Sequence, residues 1–295
     1  MQEIQFYQDH LNRVSRSFAF CIQELPMPFR YWVSLSYLIC RILDTVEDSK
    51  WESPEMRKQQ FAAFDAFMKN PPSSEEVQTW AQRFPEDVPE GEKLLLNDAN
   101  TLFQNIHELA PEIKKVLQTS AAQMSRGMQS FLNKGSLRLT SLKKVNLYCY
   151  FVAGLVGKLL TQLFLLYKPQ FSASKALKKN ALHFGLFLQK VNILKDQNED
   201  EQSGRHLVPD REAVIASAQQ NAEAGLDYIL SLPLEEKGYR TFCAWSFFLG
   251  LATLAKGSIK MVREETSKLL AQVQDIAADN SALKRLFEKF HQLGT

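Results

Sequence analysis

Apolar residues recur at helical spacing along nearly the whole chain, and no run of short alternating strands interrupts them. The pattern predicts helices over residues 26–48, 54–68, 74–83, 92–109, 111–132, 141–167, 172–201, 211–230, 234–255 and 281–293. Local chemistry supports several of the starts. "SPEM" and "PSSEE" put Ser or Pro at a helix opening with acids behind, and "TSLKK" offers Thr140 or Ser141 as a cap. The 12 Gly and 11 Pro punctuate segments rather than fill them, and only the short "KNPPSS" resembles a linker. The expectation is an all-α chain in which residues 1–295 form a single domain, with the helices that are apolar nearly all round at its centre.

Two of these helices carry a narrow polar stripe. In "FRYWVSLSYLICRILDTVEDS" the exceptions are Ser34, Tyr37, Arg41, Asp44 and Asp48, at steps of 3, 4, 3 and 4, which trace one helix face. In "HFGLFLQKVNILKDQNED" they are Gln189, Asn192, Asp196 and Asp200, at steps of 3, 4 and 4. Each stripe ends in two aspartates at i, i+4, whose β-carbons stand about 6 Å apart. Two like charges there cost a few tenths of a kcal/mol (~0.2–0.5). Both pairs are also expected at helix C-terminal ends, where the macrodipole disfavours anions. A cation should offset both terms. Magnesium fits, because it takes hard oxygen ligands and commonly bridges a few carboxylates to a phosphate; manganese is the natural substitute. One acidic pair alone reads as a solvated helix end, whereas two matched pairs point to a metal site.

Composition narrows the picture. With 45% hydrophobic and 23% charged residues, the 295-residue chain is an ordinary globular protein with room for a large core. A formal net charge of +2 gives no global field that would select nucleic acid or a membrane, so any charge-driven function is local. Cys21, Cys40, Cys149 and Cys243 are scattered in apolar surroundings and read as reduced core thiols of a cytoplasmic protein. "MQEIQFYQDH" lacks a signal-peptide pattern. The most apolar stretch, "LYCYFVAGLVGKLLTQLFLLY", is broken by Lys158, Thr161 and Gln162 and reads as a buried helix rather than a membrane span. "DQNED" fails as a calcium loop, since Glu201 and Leu207 stand where that loop needs Gly and Glu. "GLVGK" is too short for a P-loop, HExxH and GxGxxG are absent, and His183 and His206 read as packing or surface residues.

Five blocks carry a resemblance: "SRSFAF", "YLICRILDTVED", "YCYFVAGLVG", "GLFLQKVNILKDQNEDEQSGR" and "FCAW…ATLA". In their order and in the doubled DxxxD pattern the chain resembles the squalene/phytoene synthase family, and more its squalene-forming branch than its phytoene-forming one. The resemblance implies an all-helical isoprenoid-synthase bundle around a central active-site cavity. It implies a prenyltransferase that joins two farnesyl diphosphates head to head into presqualene diphosphate with Mg2+, then reduces that product to squalene with NADPH.

The implied roles follow. Asp44, Asp48, Asp196 and Asp200 hold metal, Glu47 assists, and Asn192 adds an oxygen ligand or a hydrogen bond. Arg16, Arg41, Lys195 and Arg205 meet diphosphate oxygens. Arg16, Arg41 and Lys195 also face cofactor phosphates, and Lys260 and Arg263 correspond to a basic cofactor segment. For Arg41 the competing assignment is an ion pair to Asp44 or Asp48. Ser15 and Ser17 are candidate hydroxyl donors, and Gln189 belongs to the substrate site. Tyr37 and Tyr148 orient a diphosphate or assist proton removal; an ordinary buried tyrosine is an equal assignment for Tyr148. Phe18, Phe184, Phe187 and Phe242 are candidates to face a carbocation. Val152, Ala153 and Gly157 line a tail channel, small enough for a prenyl chain to pass.

Three positions depart from the family pattern. Lys195 replaces Arg, Ser246-Phe247 follows "FCAW" where Pro-Gln is usual, and "KGSIKMVREE" follows "ATLA" without a longer insert. These touch the reductive step more than the condensation. A synthase that stops at presqualene diphosphate, or makes dehydrosqualene or phytoene, is therefore the first alternative. A non-catalytic helical assembly protein of the same fold is the second. The remaining expectations are a cytoplasmic monomer with no transmembrane anchor, no nucleic-acid partner and peripheral membrane contact for release of an insoluble product.

Overall fold

The computed structural model describes residues 2–132, 137–259 and 261–293, the side chains of Gln2, Glu3, Arg16, Ser17, His291, Gln292 and Leu293 excepted. Among these residues the secondary structure is helical, save for one isolated parallel bridge between Arg138 and His206. The expected all-α class is therefore observed. The chain forms two compact units. One comprises residues 1–23, 27–135 and 162–170, and the other residues 24–26, 136–161 and 171–295.

The first unit contains α1 (Gln2–Val14), α2 (Arg16–Ile22), α3 (Phe29–Asp48), α4 (Pro54–Lys69), α5 (Ser74–Ala81), α6 (Glu90–Asn97), α7 (Ala99–Glu108) and α8 (Pro111–Leu132). Its axis is α3. Phe29, Val33, Leu35, Leu38, Ile39, Ile42, Leu43 and Val46 are all buried, and α1, α4, α6, α7 and α8 pack against that helix. An apolar surface this broad can be buried only from several sides at once, which is why α3 sits centrally. The helix starts follow the expected caps. The Ser53 Oγ accepts from the Met56 N–H, and Ser73 closes a full capping box with Glu76.

The second unit contains α9 (Leu142–Cys149), a π-helical turn (Tyr150–Gly154), the first part of α10 (Leu155–Tyr167), α11 (Lys175–Lys195), α12 (Gln197–Gln202), α13 (Arg211–Leu230), α14 (Lys237–Ala255), α15 (Arg263–Ile276) and α16 (Asn280–Leu293). Residues 162–167 of α10 belong to the first unit. Here α11 is the hub, packed on α13, α14 and the π turn. Its approach to the π turn and α10 is close. A β-carbon on Gly157 would lie 2.1 Å from the Ala181 carbonyl oxygen, and one on Gly185 would lie 2.2 Å from that of Ala153. Arg240 is fully buried, and among the described residues no carboxylate pairs with it. Its guanidinium donates to the carbonyls of Ile229, Leu232 and Ala277, each at 2.7 Å, at the C-terminal ends of α13 and α15. The candidate cap is Ser141, whose Oγ accepts from the Lys144 N–H, and not Thr140.

Three long helices expected from the pattern are interrupted. The 92–109 segment divides at Asp98, the 141–167 segment passes through the π turn, and the 172–201 segment breaks at Asp196. Hydrophobic period survives a one-residue break, so the pattern does not register it. Helices α1, α2 and α15 were not anticipated. α15 buries only Leu269 and Val273, too sparse an apolar face to stand out. Residues 142–167 form a run long and apolar enough to cross a bilayer, with mean hydropathy 1.7 and 44% of its most apolar window buried.

Candidate functional site

The first stripe emerges from the core as it runs along α3. Ser34 is buried, Tyr37, Arg41 and Asp44 are half-buried, and Asp48 is exposed at the last helical residue. Tyr37 hydrogen-bonds to Ser15 and packs against Phe18, with ring centroids 5.6 Å apart. Burial raises the Tyr37 pKa above the ordinary phenol value, against the opposing pull of Ser15 and Arg41. Ser15 is also the N-cap of α2, its Oγ accepting from the Phe18 N–H at 3.3 Å. The expected Ser15, Phe18, Tyr37, Arg41 and Asp44 thus gather in one neighbourhood. Arg16 and Ser17 lie in α2 beside them, their side chains outside the described residues.

The partner of Arg41 corrects an expectation. Its guanidinium donates to Glu92 through both Nε (3.1 Å) and Nη2, not to Asp44 or Asp48. Asp44 still acts on it through space, and its charge and the Glu92 bond outweigh desolvation, so the Arg41 pKa is raised. Glu47, on the same helix, is buried and acts electrostatically on Arg57 of α4, whereas Asp44 is half-buried and Asp48 exposed. Among the described residues no three of His, Cys, Asp or Glu gather as a metal-holding group. Arg57 also senses Asp48, and its own pKa is lowered by burial. Sequence reading passed over both Glu92 and Arg57, since each reaches the stripe from another helix.

The second stripe bends at its acidic end. Asp196 closes α11 and opens α12, and Asp200 lies in the first turn of α12. The i, i+4 register persists through the break, because the Asp200 N–H donates to the Asp196 carbonyl at 2.9 Å. So the expectation of a plain helix C-terminus holds for Asp48 and fails for Asp200. Lys195 Nζ lies 3.2 Å from the Asp196 carboxylate and 3.5 Å from Asn192 Oδ1. Arg205 Nε is 3.7 Å from Asp200 Oδ1, its backbone N–H donates to the Asp200 carbonyl at 2.8 Å, and its Nη2 donates to the Tyr148 hydroxyl at 3.2 Å. Tyr148, Lys195, Asn192, Asp196, Asp200 and Arg205 are thus one constellation, with half-buried Gln189 further up the same helix.

Other expectations distribute differently. Val152 and Ala153 are half-buried in the π turn, a local geometry frequent at functional sites. Gly157 is buried, and its missing side chain makes room for the α11 backbone. Phe184, Phe187 and Phe242 are buried core, the first two against Phe247 and the third stacked on Tyr239. Phe247, one of the departures from the family pattern, is therefore a core residue. Arg263 is exposed as the first residue of α15, and Lys260 lies outside the described residues.

The donor set fits a hard divalent cation. Each unit offers a pair of carboxylates with a guanidinium or ammonium close by, and among the described residues neither offers a complete protein cage. Magnesium is commonly bound in this way, through one or two carboxylates plus waters and substrate phosphates.

Among the described residues the chain is thus a helical one with two acidic pairs, each with cations beside it. Residues 11–213 match the family model described as squalene/phytoene synthase. The chain belongs to the squalene/phytoene synthase family. It is 32% identical over 277 residues to the squalene synthase of Eremothecium gossypii, covering 83% of this chain and 60% of that protein. To the squalene synthase of Homo sapiens it is 28% identical over 314 residues, covering 96% and 72%. The chain thus spans less than two thirds of the fungal relative's length. Its fold is similar to that of TcSQS in complex with the ligand BPH1237, at a TM-score of 0.81 and 24% identity, covering 100% of this chain and 97% of that one.

Proposed function

We propose that the chain is a prenyltransferase that condenses two molecules of farnesyl diphosphate head to head into presqualene diphosphate and reduces it with NADPH to squalene. The observation that carries this reading is the doubled acidic pair, each beside its own cations. Asp44 and Asp48, and likewise Asp196 and Asp200, would hold Mg2+, which would supply the charge that lets an allylic diphosphate leave. Asn192 orients the second pair by engaging Lys195. Arg41, Lys195 and Arg205 donate to diphosphate oxygens, with Arg16, Ser15 and Ser17 at the start of α2 adding further donors.

Tyr148 takes its orientation from Arg205. A hydroxyl placed in this way is suited to hold a diphosphate or to relay a proton. Tyr37, kept protonated by its raised pKa, is suited to donate rather than to act as base. Phe18, Gln189, Val152 and Ala153 line the substrate and exclude water from the cation. NADPH phosphates are met by Arg16, Arg41, Lys195, Lys260 and Arg263. The protein works in the cytoplasm as a monomer that touches a membrane peripherally to release its product.

The test is incubation of purified protein with farnesyl diphosphate and Mg2+, with and without NADPH, followed by product analysis. Squalene with NADPH is expected. Presqualene diphosphate or dehydrosqualene irrespective of NADPH would replace the reductive half of the reading. A C40 product from geranylgeranyl diphosphate would overturn it.

A further inference from the structure

Arg211 is an unusual first residue for a helix. A cation at N1 of α13 faces the positive end of the helix macrodipole, so local electrostatics oppose it. The helix cap is supplied without it, by Asp210, whose carboxylate accepts from the Ala213 N–H at 3.0 Å. What offsets the unfavourable placement is a set of three acceptors on other segments. Nη1 donates to the Leu194 carbonyl at 3.1 Å and to Gln197 Oε1 at 2.8 Å, and Nη2 donates to the Gly257 carbonyl at 3.1 Å.

The first two acceptors bracket Asp196, one two residues before it and the other one residue after. They sit at the break between α11 and α12, where the backbone has no continuous helix to fix its direction. Gln197 is held from its other end as well, its Nε2 donating to Glu201 Oε1 at 3.0 Å. The third acceptor belongs to the turn that ends α14. There Gly257 (φ 71°) and Ser258 (φ 66°) adopt left-handed conformations, and the N–H groups of Gly257 and Ser258 return to the carbonyls of Leu254 and Thr253. That closed turn gives Arg211 a firm anchor. Lysine could not replace it, because one ammonium cannot span three acceptors in the plane of a guanidinium fork.

We infer that Arg211 is a positioning residue for the second acidic pair: it clamps both flanks of Asp196 across the helix break and so sets the direction of a metal-binding carboxylate. This rests on the metal role given to Asp196 in the proposed function. Arg211 touches neither substrate nor metal in this scheme; it acts through the backbone at Leu194 and the side chain of Gln197.

The test measures Mn2+ binding by electron paramagnetic resonance, with full-length protein and inorganic pyrophosphate, for wild type, R211M, R211K, Q197L, D196N and W245F. W245F removes a hydrogen bond to the Leu270 carbonyl remote from this clamp and serves as the control for general destabilisation. R211M is expected to weaken Mn2+ binding about tenfold, as loss of a residue supporting a metal ligand commonly does. Q197L should weaken it less, R211K should not rescue it, and W245F should bind as wild type whatever its thermal midpoint. The Mg2+ concentration for half-maximal turnover should rise in R211M by more than kcat falls. Should R211M not fold, Q197L and R211K decide the matter by the same readout. Loss of binding in D196N with wild-type affinity in the Arg211 and Gln197 variants overturns the clamp alone. Wild-type affinity in D196N as well overturns the metal assignment beneath it.

Discussion

The two acidic pairs share a spacing and differ in how that spacing is made. Asp44 and Asp48 ride on an unbroken helix whose apolar side is buried by the helices packed around it. Asp196 and Asp200 straddle a helix break, and one backbone hydrogen bond of 2.9 Å keeps them in register. The cations differ as well. At the first pair, Arg41 is tied to Glu92 from α6, and Arg57 approaches from α4. At the second, Lys195 and Arg205 come from the same stretch as the carboxylates they face. The first pair is thus held by the packing of a whole helix, and the second by side chains acting across a helix break. Perturbations around the first should register mainly as stability, and those around the second as metal affinity.

The largest expected effect tests whether the pairs are equivalent in the chemistry. Asp44→Asn and Asp196→Asn should each lower Mg2+-dependent turnover of farnesyl diphosphate by about 10²–10³-fold, the loss expected when one charge-stabilising group is removed. Product formation from labelled substrate is the measurement. A variant with near wild-type turnover would remove its pair from the active site and end the parallel.

Next comes the close approach of α11 to the π turn. Gly185→Ala would drive a methyl group to 2.2 Å from the Ala153 carbonyl oxygen, so backbone must move. A loss of about 3 kcal/mol is expected in urea unfolding. Gly157→Ala, facing Ala181 at 2.1 Å, should behave alike. A neutral result at either position would mean that the backbone there yields without cost and the close approach does not fix the packing of α11.

A smaller effect separates the pairs by mechanism. Glu92→Gln leaves Arg41 without its charged partner in a half-buried position, which should cost about 2 kcal/mol of stability. Urea midpoints at neutral pH measure it. Metal affinity should change less than in R211M, because α3 keeps Asp44 and Asp48 in place without that ion pair.

What the sequence made legible follows from the same contrast. The fold class, the central helices and both aspartate pairs were readable, because helical period and i, i+4 spacing are local properties. The partners were not. Glu92 stands 51 residues from Arg41, and no local pattern joins them. The break at Asp196 escaped notice because the Asn192–Asp196–Asp200 steps of 4 and 4 continue through it. Phe184 and Phe187 are readable from sequence either as cation-facing aromatics or as plain core, since an aromatic at helical spacing carries no mark of what it faces; the structure buries both against Phe247. Arg211 had a visible signal, a cation at the first position of a helix, which went unused.

The smallest effect concerns a buried lysine within α11, the helix that ends at the second pair. Lys190 is 1% exposed and donates to Ser217 Oγ and Asn221 Oδ1, both at 2.6 Å. Burial lowers its pKa from 10.5 to about 8. Between those values the unfolded chain holds the proton and the folded one releases it, so this group makes unfolding harder as pH rises. Cys40 and Cys149 act oppositely. Burial pushes both thiols from 9.0 to about 12, so above pH 9 the unfolded chain ionises first and stability falls. The lysine is therefore best seen between pH 8 and 9, before the thiols enter. Relative to K190M, which keeps both cysteines, wild type should gain about 1 kcal/mol across that unit. Urea titrations of both proteins at the two pH values measure the difference. Equal slopes would mean that Lys190 stays charged in the folded chain, held by Ser217 and Asn221 strongly enough to cancel its burial.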